Sequence, residues 1–277
     1  MITIRTVSDL HLEFKGDYHS HTSNNSRDWN SYTILPKMDN EKEQTLILAG
    51  DIIMIKYRER FKPFFKDISE RFEQVIVICG NHEFYKHNFL TGYEDYREFL
   101  FPFKNITLLQ DQHICIGDYA IFGATLWTNF DKRNPYAMGY ASEAMSDFRV
   151  IEYSAHDGTN KMRWTPELSV LEHEKTIVHM KAFFEKYKDK KKIIVTHHLP
   201  SEQCGDIKFL GSPLNPAFSS NLDDLIHAEQ PILWVAGHTH SSCDFMIGNT
   251  QMIINPRGYN DGAENPEFNS ELLITLA

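Results

Sequence analysis

Ile2-Thr3-Ile4-Arg5-Thr6-Val7-Ser8-Asp9-Leu10-His11 opens the chain with a short β-branched, apolar run that breaks into an acidic residue and a histidine. The same grammar returns four times. Residues 45–49 run into Gly50-Asp51, residues 75–79 into Gly80-Asn81-His82-Glu83, residues 193–196 into His197-His198, and residues 232–236 into Gly237-His238-Thr239-His240. Short apolar runs rich in Val and Ile read as buried strands rather than helices. Between them, residues 58–72, 92–101 and 166–187 carry helical spacing, with Leu168, Leu171, Ile177, Met180 and Phe184 on a repeating face of the last. Strands alternating with helices imply an α/β layered fold. Residues 106–110, 114–116, 119–122, 245–247, 252–254 and 272–276 are joined by Gly-Asp, Gly-Asn or other polar turns and read as antiparallel hairpins. The simplest architecture is a pair of mixed β-sheets flanked by helices, in a single domain over residues 1–277. Residues 16–38, 129–163 and 205–220 read as long loops that shape an entrance.

In α/β sheets, ligands bind in the crevice beyond the carboxyl ends of strands, so the five strand ends are expected on one rim. Their oxygen and nitrogen donors, with no thiolate among them, suit Mn, Fe, Zn, Ni or Co in a site of catalytic type rather than a structural zinc held by cysteine. On an extended segment residues i and i+2 point to the same side, which lets Asp9 with His11, and His238 with His240, face one pocket. Gly50, Gly80 and Gly237 each precede a ligand type at a sharp turn off the strand, where a Cβ would be strained.

That ordered set resembles the calcineurin-like metallophosphoesterase superfamily, whose pattern is DxH, GD, GNH followed by Asp or Glu, a strand-end His, and GHxH. No member of the pattern is missing between residues 9 and 240. The resemblance implies a four-layer αββα sandwich with a dinuclear metal site at the strand ends. By position, Asp9, His11 and His240 would hold one divalent ion, Asn81, His197 and His238 the other, and Asp51 would bridge both. It also implies a metal-dependent phosphoesterase that hydrolyses phosphodiester or phosphomonoester bonds of a nucleotide or other small phosphorylated substrate by a metal-activated hydroxide. His82 would then be catalytic, meeting the phosphate and protonating the departing alkoxide. Alternatives within the class are a protein Ser/Thr phosphatase and a nuclease. A non-catalytic partner-binding module on the same fold is the alternative from another class, and the intact ligand set argues against it.

Further residues carry weaker signals. Glu83 reads equally as an orienting carboxylate behind a ligand or as a surface acid. Arg257 reads as a bidentate phosphate clamp or a turn residue. His198, beside the ligand position of His197, reads either as a support behind a ligand or as substrate-facing. Trp127 and Phe130, near Asp147-Phe148-Arg149, are weighed as walls for an aromatic group against ordinary core positions. His19 and His21 read as part of a solvated loop.

Composition bounds the rest. The 277 residues are 42% hydrophobic and 24% charged, as in an ordinary globular chain. Net charge is −10, from 28 Lys plus Arg against 38 Asp plus Glu, a field that repels nucleic acid and anionic membrane. Four cysteines without a C-x-x-C pair point to reduced thiols and a cytoplasmic protein. The opening lacks a basic segment followed by a long apolar stretch, and no run of about 18 apolar residues occurs, so neither secretion nor a membrane span is expected. The sequence does not set an oligomeric state.

Overall fold

The structure, a computed structural model, describes residues 1–14, 34–155, 161–259 and 263–277. In chain order the strands are β1 (Ile2–Val7), β2 (Gln44–Ala49), β3 (Gln74–Ile78), β4 (Ile106–Leu108), β5 (Gln112–Ile116), β6 (Tyr119–Ala124), β7 (Glu152–Tyr153), β8 (Met162–Arg163), β9 (Lys191–Thr196), β10 (Leu233–Ala236), β11 (Cys243–Ile247), β12 (Thr250–Ile254) and β13 (Leu273–Leu276). They form one sheet ordered β13-β1-β2-β3-β4, a second ordered β11-β12-β10-β9-β6-β5, and the small ribbon β7-β8. Strands β1 to β4 are parallel and so are β6, β9, β10 and β12, while β13, β5 and β11 are antiparallel edges.

The pleat sorts side chains into layers, because successive residues of a strand face opposite sides of the sheet. Leu46 and Leu48 of β2 and Val75 and Val77 of β3 point outward, where Phe64, Phe65 and Ile68 of the helix Lys62–Arg71 and Tyr96 and Phe99 of Phe89–Leu100 bury them. Ile47, Ile76 and Ile78 point inward and meet Ile121, Ile193 and Val195 of the facing sheet. On the far side, Phe122, Ile194 and Trp234 pack against Met180, Phe183 and Phe184 of the helix Pro166–Lys186. The result is the expected αββα sandwich.

Several local expectations are corrected. Residues 106–110 are not half of a hairpin: β4 pairs parallel with β3, and the chain crosses to the other sheet before β5 begins. Likewise β12 pairs parallel with β10 besides closing a hairpin with β11, and β13 pairs with β1 at the other end of the chain. Turn chemistry reads short connections and carries no information on such long-range partners. Of the face read on the helix Pro166–Lys186, Met180 and Phe184 are buried and Leu168 and Ile177 partly so, while Leu171 is exposed and Val170, His173, Thr176 and Phe183 complete the buried face. The described residues of 129–163 are not one loop, since they include the helices Pro135–Ala144 and Asp147–Val150: Asn134 Oδ1 accepts from the backbone N–H groups of Tyr136 and Ala137, capping the first. Most of the loop read over 16–38, with His19 and His21, lies outside the described residues.

Candidate metal centre

Parallel pairing puts the carboxyl ends of β1, β2 and β3 along one edge of the first sheet and those of β9 and β10 along the same edge of the second. There the predicted residues come together. Ligand atoms of Asp9, His11 and His240 lie within 4.8 Å of one another, as do those of Asp51, His197 and His238 and those of His11, Asp51 and His82. Asp51 stands between the groups: its Oδ2 is 3.9 Å from His11 Nε2, and its Oδ1 is 3.4 Å from His197 Nε2. Asn81 Oδ1 is 3.1 Å from His197 Nε2, and His240 Nε2 is 3.4 Å from Asp9 Oδ1.

The backbone achieves this differently from an extended i, i+2 alternation. Asp9, His11, Asp51, His238 and His240 all have positive φ, between 43° and 72°. Residues in that region cost roughly 1–3 kcal/mol each and persist where the surroundings over-determine them. The surroundings here are hydrogen bonds that lace the turns together, from Asp9 N–H to Gly50 O (2.9 Å), His11 N–H to Asp51 O (3.0 Å) and Gly258 N–H to Asp9 O (3.0 Å). Among the three glycines only Gly50 needs its φ, at 89°. Gly80 and Gly237 are required by close approach: a Cβ at Gly80 would fall 2.1 Å from Asp51 Oδ1, and one at Gly237 would fall 2.8 Å from Asp9 Oδ2.

Outer partners aim the donors. His197 Nδ1 donates to Ala49 O at 2.9 Å, which turns Nε2 toward Asp51. Asn81 Nδ2 donates to Asp147 Oδ1 at 2.8 Å, and Tyr85 OH donates to the same oxygen at 2.7 Å, so the Asn81 carbonyl oxygen faces the cluster. Glu83 is fully buried and accepts from the backbone N–H groups of Gly80 (2.7 Å), Ile52 (2.8 Å) and Asp51 (2.9 Å). Its burial removes the surface reading, and the bonds to the turn at Asp51 fit the orienting one. Burial and the Asp51 charge push its pKa up to about 8, against the pull of these donors.

The donor set fits divalent cations. His238 Nε2 is buried without a hydrogen-bond partner, within the reach of Asp51 and His197 just given. Burial disfavours an imidazolium at His197, yet the Asp51 and Asp9 charges outweigh it and push the pKa up to about 10. A field that holds a proton so firmly on buried imidazole also favours a cation. The same balance of burial against Asp51 and Glu13 pushes His82 up to about 9. His198 behaves oppositely: burial and the neighbouring His197 charge push it down to about 3.

Sequence reasoning passed over Glu13 and Tyr259 and gave Asp147 no part in holding a ligand. Glu13 Oε1 lies 3.3 Å from Nδ1 of both His11 and His82, and Tyr259 OH lies 3.3 Å from His82 Nε2. A signal existed for Glu13, which stands two residues beyond His11 in Asp9-Leu10-His11-Leu12-Glu13. The structure places the three residues weighed as substrate contacts as follows. Trp127 is a core residue against Phe84, Phe89 and Trp164. His198 is buried behind His238, with its ring 4.3 Å away and its Nδ1 on Thr125 O. Arg257 is ion-paired with Glu264 and reaches Leu10 O at 3.4 Å.

Comparison with known proteins agrees with the fold. An uncharacterized protein of Acanthamoeba polyphaga mimivirus is 27% identical over 297 residues, covering 100% of this chain and 97% of its own. The phosphopantetheinyl hydrolase of Mycobacterium tuberculosis superposes with a TM-score of 0.68 at 15% identity, over 93% of this chain and 89% of that one. A Staphylococcus aureus protein described as a 5'-nucleotidase superposes at 0.50 and 14% identity, over 91% of this chain and 48% of its own. The sequence model of the calcineurin-like phosphoesterases matches residues 2–242, and the chain belongs to that family.

Proposed function

We propose that the chain is a dinuclear metal-dependent hydrolase of phosphoric esters acting on a small phosphorylated substrate. In this reading Asp9, His11 and His240 hold one cation, Asn81, His197 and His238 the second, and Asp51 reaches both. The observation that carries it is the position of Asp51, one carboxylate oxygen toward His11 and the other toward His197. When bound, such cations polarise a phosphoryl group and make water acidic enough to attack near neutral pH.

The chain's own residues do the remaining work. His82 lines the cavity beside the cluster, with Glu13 Oε1 3.3 Å from its Nδ1 to favour the protonated ring. An imidazolium there stabilises charge developing on the phosphoryl oxygens and donates its Nε2 proton to the departing alkoxide. A cleft of about 890 Å³ beside the cluster supports a small substrate. No helix among the described residues is long and apolar enough to cross a membrane, and four free cysteines, two of them buried, support a reducing compartment such as the cytoplasm.

The test is turnover of bis-p-nitrophenyl phosphate and p-nitrophenyl phosphate by manganese-loaded protein, with elemental analysis of the same sample. Bound metal with turnover that His82→Ala abolishes is expected. Absence of turnover across manganese, iron, zinc, nickel and cobalt overturns the assignment.

A further inference from the structure

The cavity extends well past the histidines. It runs from Asp51, Asn81 and His82 to the segment 205–215, and its volume of about 890 Å³ is in the range that holds a whole drug-sized ligand. A phosphoryl group at the cluster therefore occupies one end only.

The other end has a definite chemistry. Ile207, Phe209 and Leu210 line it while remaining 85%, 51% and 83% exposed, an unusual concentration of large apolar side chains on four consecutive positions. Such a patch marks a binding surface more often than chance. Leu199, Leu214 and Phe218 continue the apolar wall inward.

Charge on this half is one-sided. Glu202, Asp206, Glu264 and Glu267 line it, and among the described lining residues Lys208 is the one lysine or arginine. Lys208 Nζ lies 2.6 Å from Asp206 Oδ2 and 3.4 Å from Ser241 Oγ, so its charge is committed within the rim. Arg257 is paired with Glu264. A second phosphate or a carboxylate here would meet acids and find its counter-charges taken, whereas an apolar group would bury surface against Ile207 and Leu210.

We propose that, on the phosphoesterase reading above, the cavity selects an ester with a single phosphoryl anion at the histidine cluster and an uncharged, apolar substituent seated against Ile207, Phe209 and Leu210. Esters carrying further anionic groups beyond the reacting phosphate are selected against.

The test is calorimetric titration of manganese-loaded protein with three unreactive probes: methylphosphonate, hexylphosphonate, and a hexylphosphonate bearing a terminal carboxylate. The expected result is that hexylphosphonate binds about tenfold or more tightly than methylphosphonate, and that the terminal carboxylate erases the gain. Ile207→Ser combined with Leu210→Ser, both exposed and so compatible with folding, should lower the hexyl-to-methyl ratio. Equal binding of the methyl and hexyl probes, a carboxylate that binds as tightly as hexyl, an unchanged ratio in the double variant, or no binding of any probe would each overturn the inference. Turnover of p-nitrophenyl phosphates reports separately on phosphoesterase chemistry, so intact turnover without chain-length preference removes this inference alone.

Discussion

Nδ1 of His82 and Oε1 of Glu13 lie 3.3 Å apart, and that one oxygen is also 3.3 Å from Nδ1 of His11. A single buried carboxylate thus orients a proposed cation ligand and the proposed proton donor together. Glu13→Gln keeps the shape and removes the charge. Metal affinity or kcat/KM is expected to fall about 10–100-fold. Loss of the anion also withdraws support from the His82 imidazolium, so its pKa drops and the alkaline limb of the pH–rate profile moves to lower pH. A profile that keeps its alkaline limb in place would remove Glu13 from the control of His82.

Asp147 holds Asn81 in one orientation, with Tyr85 sharing the same oxygen. Asp147→Ala frees the Asn81 amide to turn and leaves the Tyr85 hydroxyl without its acceptor. Manganese affinity measured by competition with a chelator should weaken about 10–100-fold, and unfolding free energy should fall by about 1–3 kcal/mol. Unchanged manganese affinity would separate the Asp147 hydrogen bond from the centre.

Two glycines should respond in opposite directions to alanine. At Gly80 the new methyl would collide with both the carboxylate and the backbone nitrogen of Asp51, at 2.1 and 2.7 Å, so metal binding is lost and stability falls by about 1–3 kcal/mol. Gly139 lies exposed inside the helix Pro135–Ala144 with nothing within 4 Å of an added Cβ. Gly139→Ala should raise stability by about 0.5–1 kcal/mol. Thermal unfolding of the two variants side by side reads both signs.

Glu41 links distant segments: it accepts from Arg5 Nη1 at 3.1 Å and from Arg71 Nε at 2.8 Å, while Arg71 also donates to Leu35 O and Pro36 O. Burial opposes the ionised form, but Arg71, the Met38 N–H and Arg5 prevail and hold the carboxyl below its ordinary value of 4.5. A depressed folded pKa contributes stability that is present above 4.5 and is lost as pH falls through the folded value. Denaturant midpoints should therefore drop below pH 4.5 in the wild type and less steeply in Glu41→Gln. At neutral pH that variant takes from Arg5 its hydrogen-bonded carboxylate and leaves Arg71 that of Asp67, and should lose about 3 kcal/mol.

Legibility in the sequence followed range of interaction. Asp9, His11, Asp51, Asn81, His197, His238 and His240 could be picked out because each ends a strand whose apolar run is a local pattern, and parallel strands must present those ends together. Glu13 and Tyr259 were passed over because their importance lies in what they touch across the fold, His82 above all. Trp127 reads as core or as a substrate wall because an aromatic after a strand has the same local signature whether it turns toward a cavity or toward Trp164. The pairing of β4 with β3, and of β13 with β1, is likewise decided by partners that no turn residue announces.

The five left-handed residues at the centre imply a conflict between endurance and chemistry. Glycine would ease the backbone of each of those turns, but at Asp9 and Asp51 it would also strip the acceptors from the buried N–H groups of His238 and His82. Tension in the main chain and the side chains it presents are thus inseparable: neither can be given up while the other is kept.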